Sequence, residues 1–378
     1  MAGLYVHIPF CRRACVYCDF HFSTSMKHKA AFCNALVLEA RLRKGELNES
    51  FSTLYFGGGT PSQLHSDELN RVLEEIIPGY FNTAPEEFTF ELNPEDASPE
   101  YLGLLRKLGV NRLSMGVQSF DEAMLKYMKR GHTEVQVHQC IEWAAVAGFD
   151  KISIDLIYGV PGMGDVLWLK QLNHVLTLPV NHLSCYALTV EEGTLLHQNI
   201  KKGKVAPVDD QLAAQHFTLL QKWAFENGWD HYEVSNLSKP QSRAIHNSNY
   251  WNGTHYIGLG PSAHSFNGVQ RRINKAHNQH YIEKLNTGDA PHELEALHER
   301  DIFNELIIIG LRTSNGIDIA RLKEVSATNT NRLLKKLNSA SASEIEISKD
   351  GRILLNKAYW FESDRFVRDW LVLESEWE

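Results

Sequence analysis

Three cysteines fall within eight residues near the start of the chain, in Tyr5-Val-His-Ile-Pro-Phe-Cys11-Arg-Arg-Ala-Cys15-Val-Tyr-Cys18. Thiolates are soft ligands, and three of them leave one position open on a metal that takes four. Sulfur ligation in that number points to zinc or to an iron–sulfur cluster. A zinc site would need a fourth ligand, for which His7 and His21 stand nearby in the chain. Zinc motifs usually come as two paired cysteine clips, and only one group of cysteines is present. A short apolar run over residues 4–8 delivers the cysteines and Pro9 ends it, so a strand is expected to feed a tight loop of ligands.

Other residues able to do chemistry recur at or just past the ends of later apolar runs. They are Gly57-Gly58-Gly59-Thr60-Pro61, Glu91-Leu-Asn-Pro94, Gly116-Val-Gln118-Ser-Phe120 and Asp155-Leu-Ile-Tyr-Gly159. Consecutive glycines let the backbone approach a ligand and offer N–H groups to a polar or anionic edge. A plain strand-to-helix turn uses glycine as well. Glu91, Gln118 and Asp155 alternate with apolar neighbours, which turns their side chains to one face. One such polar residue is ordinarily a satisfied core group. Three of them sharing a rim with a thiol cluster suit a ligand with an amine and sugar hydroxyls.

The elements that must position these residues alternate regularly. Strands are predicted over residues 4–8, 53–56, 87–92, 112–117, 151–157 and 182–188. Helices are predicted over 27–44, 66–77, 98–108, 121–128, 134–147 and 165–176, with Ser66, Ser98 and Asp121 as N-caps. Six repeats of strand and helix argue for right-handed crossovers and a parallel sheet, open or curled into a barrel. A complete eight-fold barrel usually needs more residues than this region has. The carboxyl ends of parallel strands are where ligands bind, and every motif above lies there.

Beyond this region a helix is expected over 209–228 and a strand over 231–235. Residues 238–267 turn to Asn, His, Gly and aromatics without clean periodicity. Helices over 296–311 and 328–338 then precede two alternating runs, 344–348 and 352–355, joined by Asp350-Gly351, a strong hairpin signal. Two helices and a hairpin make a small winged-helix-like α+β unit. The chain therefore divides into residues 1–237, a connecting region 238–292 and a C-terminal domain 293–378.

Composition narrows the setting. The net charge of −8 and the lack of a long basic run argue against nucleic acid as a partner. No apolar stretch is long enough for a transmembrane segment. No signal peptide is expected, because strand and cysteines begin at once. Cys33, Cys140 and Cys185 are scattered singly in apolar surroundings and read as buried small hydrophobes, which places the chain in a reducing, cytoplasmic compartment.

The spacing Cys11-x3-Cys15-x2-Cys18, with Tyr17 before the last cysteine, resembles the signature of the radical S-adenosylmethionine (SAM) family. That resemblance implies a partial (β/α)6 TIM-like barrel in which the three thiolates hold three irons of a [4Fe–4S] cluster and the fourth iron takes S-adenosylmethionine. The later motifs, with Asp155-Leu-Ile-Tyr-Gly-Val-Pro-Gly162, are similar to those of the oxygen-independent coproporphyrinogen III oxidase group over nearly the whole chain, including its C-terminal domain. By that likeness Gly58, Gly59 and Thr60 hold the methionyl part of S-adenosylmethionine, while Tyr5, Tyr17, Glu91, Gln118, Arg130 and Asp155 line the rest of its site. An electron donor and a homodimer are further implications of the family.

Three features depart from the oxidase pattern. The oxidase has a fourth cysteine two positions after the last ligand, where this chain has Asp19-Phe20. It also has an N-terminal extension before the first strand, which is expected to be missing here. Finally, His246-Asn-Ser-Asn-Tyr250-Trp251 resembles the His-Asn-x-x-Tyr-Trp motif of the heme-chaperone branch of the group. Imidazole is a standard axial ligand, so His246 is the heme candidate and Tyr250 and Trp251 could pack on the macrocycle. A polar loop closing the barrel's open side uses the same residues. The implied function is a chaperone that binds a cluster, S-adenosylmethionine and heme and passes heme to apo-proteins. The alternatives are oxidative decarboxylation of coproporphyrinogen III or another radical SAM reaction.

Overall fold

The computed structural model describes residues 1–288, 291–337 and 343–377. Six strands, β1 (Ala2–Ile8), β2 (Phe51–Gly58), β3 (Glu87–Leu92), β4 (Arg112–Gln118), β5 (Lys151–Tyr158) and β6 (His182–Ala187), lie side by side in that order and run parallel. Between them come α1 (Lys29–Leu42), α2 (Ser66–Tyr80), α3 (Pro99–Lys107), α4 (Glu122–Tyr127), α5 (Glu134–Val146) and α6 (Asp165–Val175). The predicted strands and helices match these within a few residues. Ser98 and Asp121 cap as expected, accepting from Tyr101 N and from Ala123 N and Met124 N. Ser66 does not: it is the first helical residue of α2, and His65 stands at the cap with its N–H donating to Glu68.

Period-two alternation sorts the strand residues. Leu4, Val6, Leu54, Phe56, Leu113 and Ile154 are fully buried in the core shared with the helices. Thr53, Tyr55, Glu91, Ser114, Asp155 and Ser184 lie on the opposite, polar face. The hydrophobic layer therefore holds the sheet together, and the inner face is left for chemistry.

Past β6 come α7 (Leu195–Lys201), α8 (Asp210–Glu226) and a hairpin of β7 (Asp230–His231) and β8 (Asn236–Ser238), the latter antiparallel to β6. The strand expected over 231–235 is thus interrupted. The buried Glu233 carboxylate accepts from Ser235 N at 2.9 Å and from the Asn236 amide, which bends residues 232–235 into a turn.

The stretch without periodicity is also structured. It contains α9 (Ile245–Trp251) and then β9 (Tyr256–Leu259), which pairs parallel to β1 on the side away from β2. Then β10 (His264–Phe266), β11 (Gln270–Asn274), α10 (Asn278–Asn286) and β12 (His292–Ala296) follow, and the three strands extend the sheet antiparallel.

Helix α9 sits against the inner face. The Glu87 carboxylate accepts from Ile245 N (2.9 Å) and His246 N (2.8 Å), and the His246 ring lies over Gly3 and bonds Thr53.

The C-terminal module has α11 (Glu299–Leu311), β13 (Ile317–Asp318), α12 (Ile319–Val325), α13 (Ala327–Leu337), β14 (Ile345–Ile347), β15 (Arg352–Leu355) and α14 (Ser363–Trp370), with its own antiparallel sheet in the order β13-β15-β14. The Asp350-Gly351 hairpin is present, with Gly351 at φ +78°. Asn338, the expected end of the second helix, lies outside the described residues. Among the described residues no helix is long and apolar enough to cross a membrane.

Glu39 on α1 fastens the β9–β11 segment to the sheet. Its fully buried carboxylate accepts from Tyr281 Oη (2.6 Å), Gly260 N (2.7 Å) and Asn274 Nδ2 (2.7 Å), with Arg43 at 3.4 Å. Replacing Glu39 by Ala takes the acceptor from the buried Tyr281 hydroxyl and Gly260 N–H and leaves Glu46, among the described residues, as the one carboxylate beside Arg43, which costs about 3 kcal/mol. Urea unfolding of Glu39→Ala is expected to show that loss, whereas Glu46→Ala, whose carboxylate is more exposed, is expected to lose much less.

Candidate functional site

The carboxyl ends of β1 to β6 surround a cavity of about 610 Å³. Of the residues singled out from sequence, Cys11, Cys15, Tyr17, Cys18, Gly58, Gly59, Thr60, Glu91, Gln118, Arg130 and Asp155 all line it. Tyr5 does not. It lies three residues below the end of β1, hydrogen-bonds His7 Nδ1 at 3.1 Å and packs on Tyr55, so its ring opens instead into a neighbouring cavity. His246 also lies outside the first cavity.

Glycine is required at the end of β2. Gly58 has φ +110°, and a Cβ there would lie 2.6 Å from the His7 ring; at Gly59 it would lie 2.9 Å from Phe10 N. Nothing larger fits between the cysteine loop and the strand. On β4, Gln118 adopts φ 67° although it is not glycine, where the register against β5 breaks between Met115 and Gln118. A left-handed conformation of this kind costs about 1–3 kcal/mol and is retained where the surroundings hold it. Here it aims an amide into the cavity.

All three cysteines are free thiols. Burial pushes the Cys11 thiol up to about 12 and the Cys18 thiol up to about 11, and the neighbouring sulfurs add to the effect. These two thiols are therefore held protonated at neutral pH, and binding a metal to them must release protons. Two donors already face the sulfurs: Thr60 Oγ1 donates to Cys11 Sγ and Arg130 Nη1 to Cys15 Sγ, each at 3.3 Å. Arg130 is held by Asn93 Oδ1 and Gly116 O, both at 2.5 Å. Burial alone would weaken its charge, but Tyr17, Cys15 and Glu95 raise its pKa, and among the described residues its buried Nε has no partner. It is no exposed helix-end charge.

The donor set separates the two metal readings left open by the sequence. Ligands of one tetrahedral zinc lie about 3.3–3.8 Å apart. The three sulfurs do not form a set mutually within 4.8 Å. His7 cannot complete such a site as it stands, and His21 has one ring nitrogen engaged. His7 Nε2 bonds His21 O at 2.9 Å and its Nδ1 bonds Tyr5, while His21 Nε2 bonds Asn278. Sulfurs spread around a cavity fit a polynuclear cluster, with each thiolate on a different iron.

Two carboxylates, Glu91 and Asp155, line the same cavity as the cysteine loop. Burial lifts Glu91 to about 7, against a 2.7 Å bond from Tyr55 Oη and one of 3.2 Å from Gly58 N. Burial likewise lifts Asp155 to about 6, opposed by Ser184, Arg130 and Ser114.

Several residues of this site were not marked by the sequence. Ser114 and Ser184 occupy inward positions that only the strand register identifies. Trp360 and Phe361 come from the C-terminal module to close the mouth.

A second cavity of about 510 Å³ adjoins the first, sharing Asp19, Phe20, Tyr55, Gly58, Glu91, Tyr186 and Asn247 as wall. His7, His21, His246, Tyr250, Tyr256 and His264 complete it. Phe20, Tyr186 and Tyr250 are unusually exposed for such large rings, at 65%, 44% and 37%. Trp251 is not in its wall. The His246 ring is engaged at both nitrogens, by Thr53 Oγ1 at 2.8 Å and Tyr250 Oη at 3.0 Å, and burial pulls its pKa down to about 3. The His264 ring, in contrast, is exposed and makes no hydrogen bond among the described residues.

Comparison with known proteins agrees with this layout. The model of the radical SAM superfamily matches residues 5–167. The heme chaperone HemW of Lactococcus lactis is 34% identical over 320 residues, covering 84% of this chain and 83% of that protein. HemW of Bacillus subtilis is 30% identical over 376 residues, covering 95% and 98%. The mitochondrial radical S-adenosyl methionine domain-containing protein 1 of Danio rerio is 32% identical over 84% of this chain and 74% of its own. Among solved structures, coproporphyrinogen III oxidase of Escherichia coli, a radical SAM enzyme, superposes with a TM-score of 0.84 at 22% identity, covering 98% and 90% of the two chains. At that identity the likeness is one of fold.

The raised Glu91 sets a pH dependence for the metal-free protein. Below about 4.5 the group is protonated folded or unfolded and contributes nothing. As pH rises, the unfolded chain releases the proton first, so stability falls until the folded group ionises near 7. The loss is on the order of 3 kcal/mol. Unfolding at pH 5 and pH 8 is expected to show a smaller difference for Glu91→Gln than for the parent, with the variant more stable at pH 8.

Proposed function

The chain belongs to the radical SAM superfamily and, within it, to the HemW branch of the coproporphyrinogen III oxidase-like group, and on that footing we propose that it is a heme chaperone. In this reading Cys11, Cys15 and Cys18 hold a [4Fe–4S] cluster. S-adenosylmethionine lies along Gly58, Gly59 and Thr60 and among Tyr17, Glu91, Gln118, Arg130 and Asp155. When bound, the two supply one-electron chemistry at the cluster. The chain's part is to orient and enclose them. Arg130 and Thr60 offset the charge of the thiolates, and the two carboxylates meet the cationic amine and ribose end. Trp360 and Phe361 limit water at the mouth.

The observation that carries the heme reading is the second cavity. Three exposed aromatic rings around a histidine-lined hollow are poor surface for water and good surface for a macrocycle. Tyr5 belongs to this side. Two imidazoles can meet the iron there. His246 must first give up its bond to Tyr250; His264 is already open to the cavity. Because the two cavities share a wall at Phe20, Tyr55 and Tyr186, a bound heme lies next to S-adenosylmethionine. That proximity gives the cluster site a role in loading or releasing heme for recipient apo-proteins.

Anaerobic reconstitution followed by heme titration tests this reading. A Soret band saturating at one heme per chain is expected, with affinity reduced at least tenfold in either His246→Ala or His264→Ala. Replacing Cys11, Cys15 and Cys18 together by Ala is expected to abolish the absorption near roughly 400 nm of thiolate-bound iron–sulfur sites. Turnover of coproporphyrinogen III without stoichiometric heme binding would overturn the chaperone reading.

A further inference from the structure

On the outer side of the sheet, away from both cavities, three ligand-type side chains converge between α5 and α6. Glu134 and His138 are four residues apart on α5 and therefore share one face. His174 comes from the last turn of α6. One ligand atom from each lies within 4.8 Å of the other two, and all three residues are half-buried. The two imidazoles point Nε2 at Nε2 across 2.7 Å, with ring planes at 88°. Among the described residues each Nε2 has only the other as partner, and the Glu134 carboxylate has none. Phe120 walls the back of the group, its ring 4.5 Å from that of His174.

We propose that Glu134, His138 and His174 form a binding site for a divalent transition-metal ion of the zinc type. Two imidazole nitrogens and one carboxylate oxygen are a donor set that such ions favour, and the hard ions Mg²⁺ and Ca²⁺ are poorly served by it. Three protein ligands leave a fourth position, and partial exposure lets water fill it. In a tetrahedral site two ligands sit about 3.3 Å apart, so the rings need to separate by only a few tenths of an ångström.

The metal would pin α5 to α6. It would also brace the loop that carries Gln118. Phe120 follows that residue closely, its backbone N–H donates to Gln171 of α6 at 3.0 Å, and Ser119 Oγ donates to the same oxygen at 2.7 Å. The site thus shares neither ligands nor cavity with the three cysteines.

Zinc chloride titrated by calorimetry into the cluster-loaded protein tests the assignment, with the cluster absorption monitored to show that the cysteines stay occupied. One zinc per chain at micromolar affinity is expected. The double variant His138→Ala/His174→Ala is expected to lose at least a hundredfold in affinity and Glu134→Gln about tenfold, while His280→Ala, on α10 and outside this group, leaves binding unchanged. If the alanine double variant does not fold, His138→Gln/His174→Gln takes its place with the same expectation. Failure of the parent to bind zinc, or undiminished binding by the double variants, would overturn the site. None of these outcomes depends on heme or on S-adenosylmethionine.

Discussion

Three sulfurs at the edge of a low-dielectric cavity cannot all carry charge unless cationic groups meet them, and the arrangement of the barrel follows from that constraint. Burial pushes the Cys11 and Cys18 thiols up to about 12 and about 11, so a metal bound to these two must displace their protons. Arg130 and Thr60 are aimed at the sulfurs rather than at solvent, and Asn93 and Gly116 O hold the guanidinium in place. Gly58 and Gly59 lack side chains because the His7 ring of β1 and the backbone at Ile8–Phe10 pass within touching distance. Gln118 keeps a strained backbone for the same cavity.

The sheet separates cohesion from chemistry by its two faces. The outer face is apolar and buried under helices, while the inner face is lined with Thr, Tyr, Ser and carboxylates that a solid core would not tolerate. Helix α9 fills part of that interior, and its first N–H groups meet the Glu87 carboxylate, which favours a helix N-terminus. The same helix presents His246, Asn247 and Tyr250 to the second cavity. A motif that reads as a ligand sequence is therefore also a plug, and the Thr53 and Tyr250 bonds of His246 belong to that second role.

Much of this was legible in the chain itself. The six strands and their crossovers follow from apolar runs alternating with capped helices, and the rim residues follow from their positions at strand ends. Other features depend on distant pairing. Nothing local announces that Tyr256–Leu259 lies beside β1, because four residues with little periodicity gain their identity only from the strand they meet. Glu233 broke an expected strand because its carboxylate found nearer donors. The spread of the cysteine sulfurs is a property of the folded loop that spacing alone does not show. Tyr5 is next to the cysteine loop in sequence, but its ring lines the neighbouring cavity, a placement that only the fold shows.

The most direct test of the central claim is electron paramagnetic resonance of the reconstituted, dithionite-reduced protein with and without S-adenosylmethionine. If three thiolates leave one iron open to the cavity, a reduced four-iron signal is expected whose g values shift when S-adenosylmethionine is added. A signal unchanged by that addition, or a protein that takes up a single zinc ion on its three cysteines in place of iron and sulfide, would contradict it.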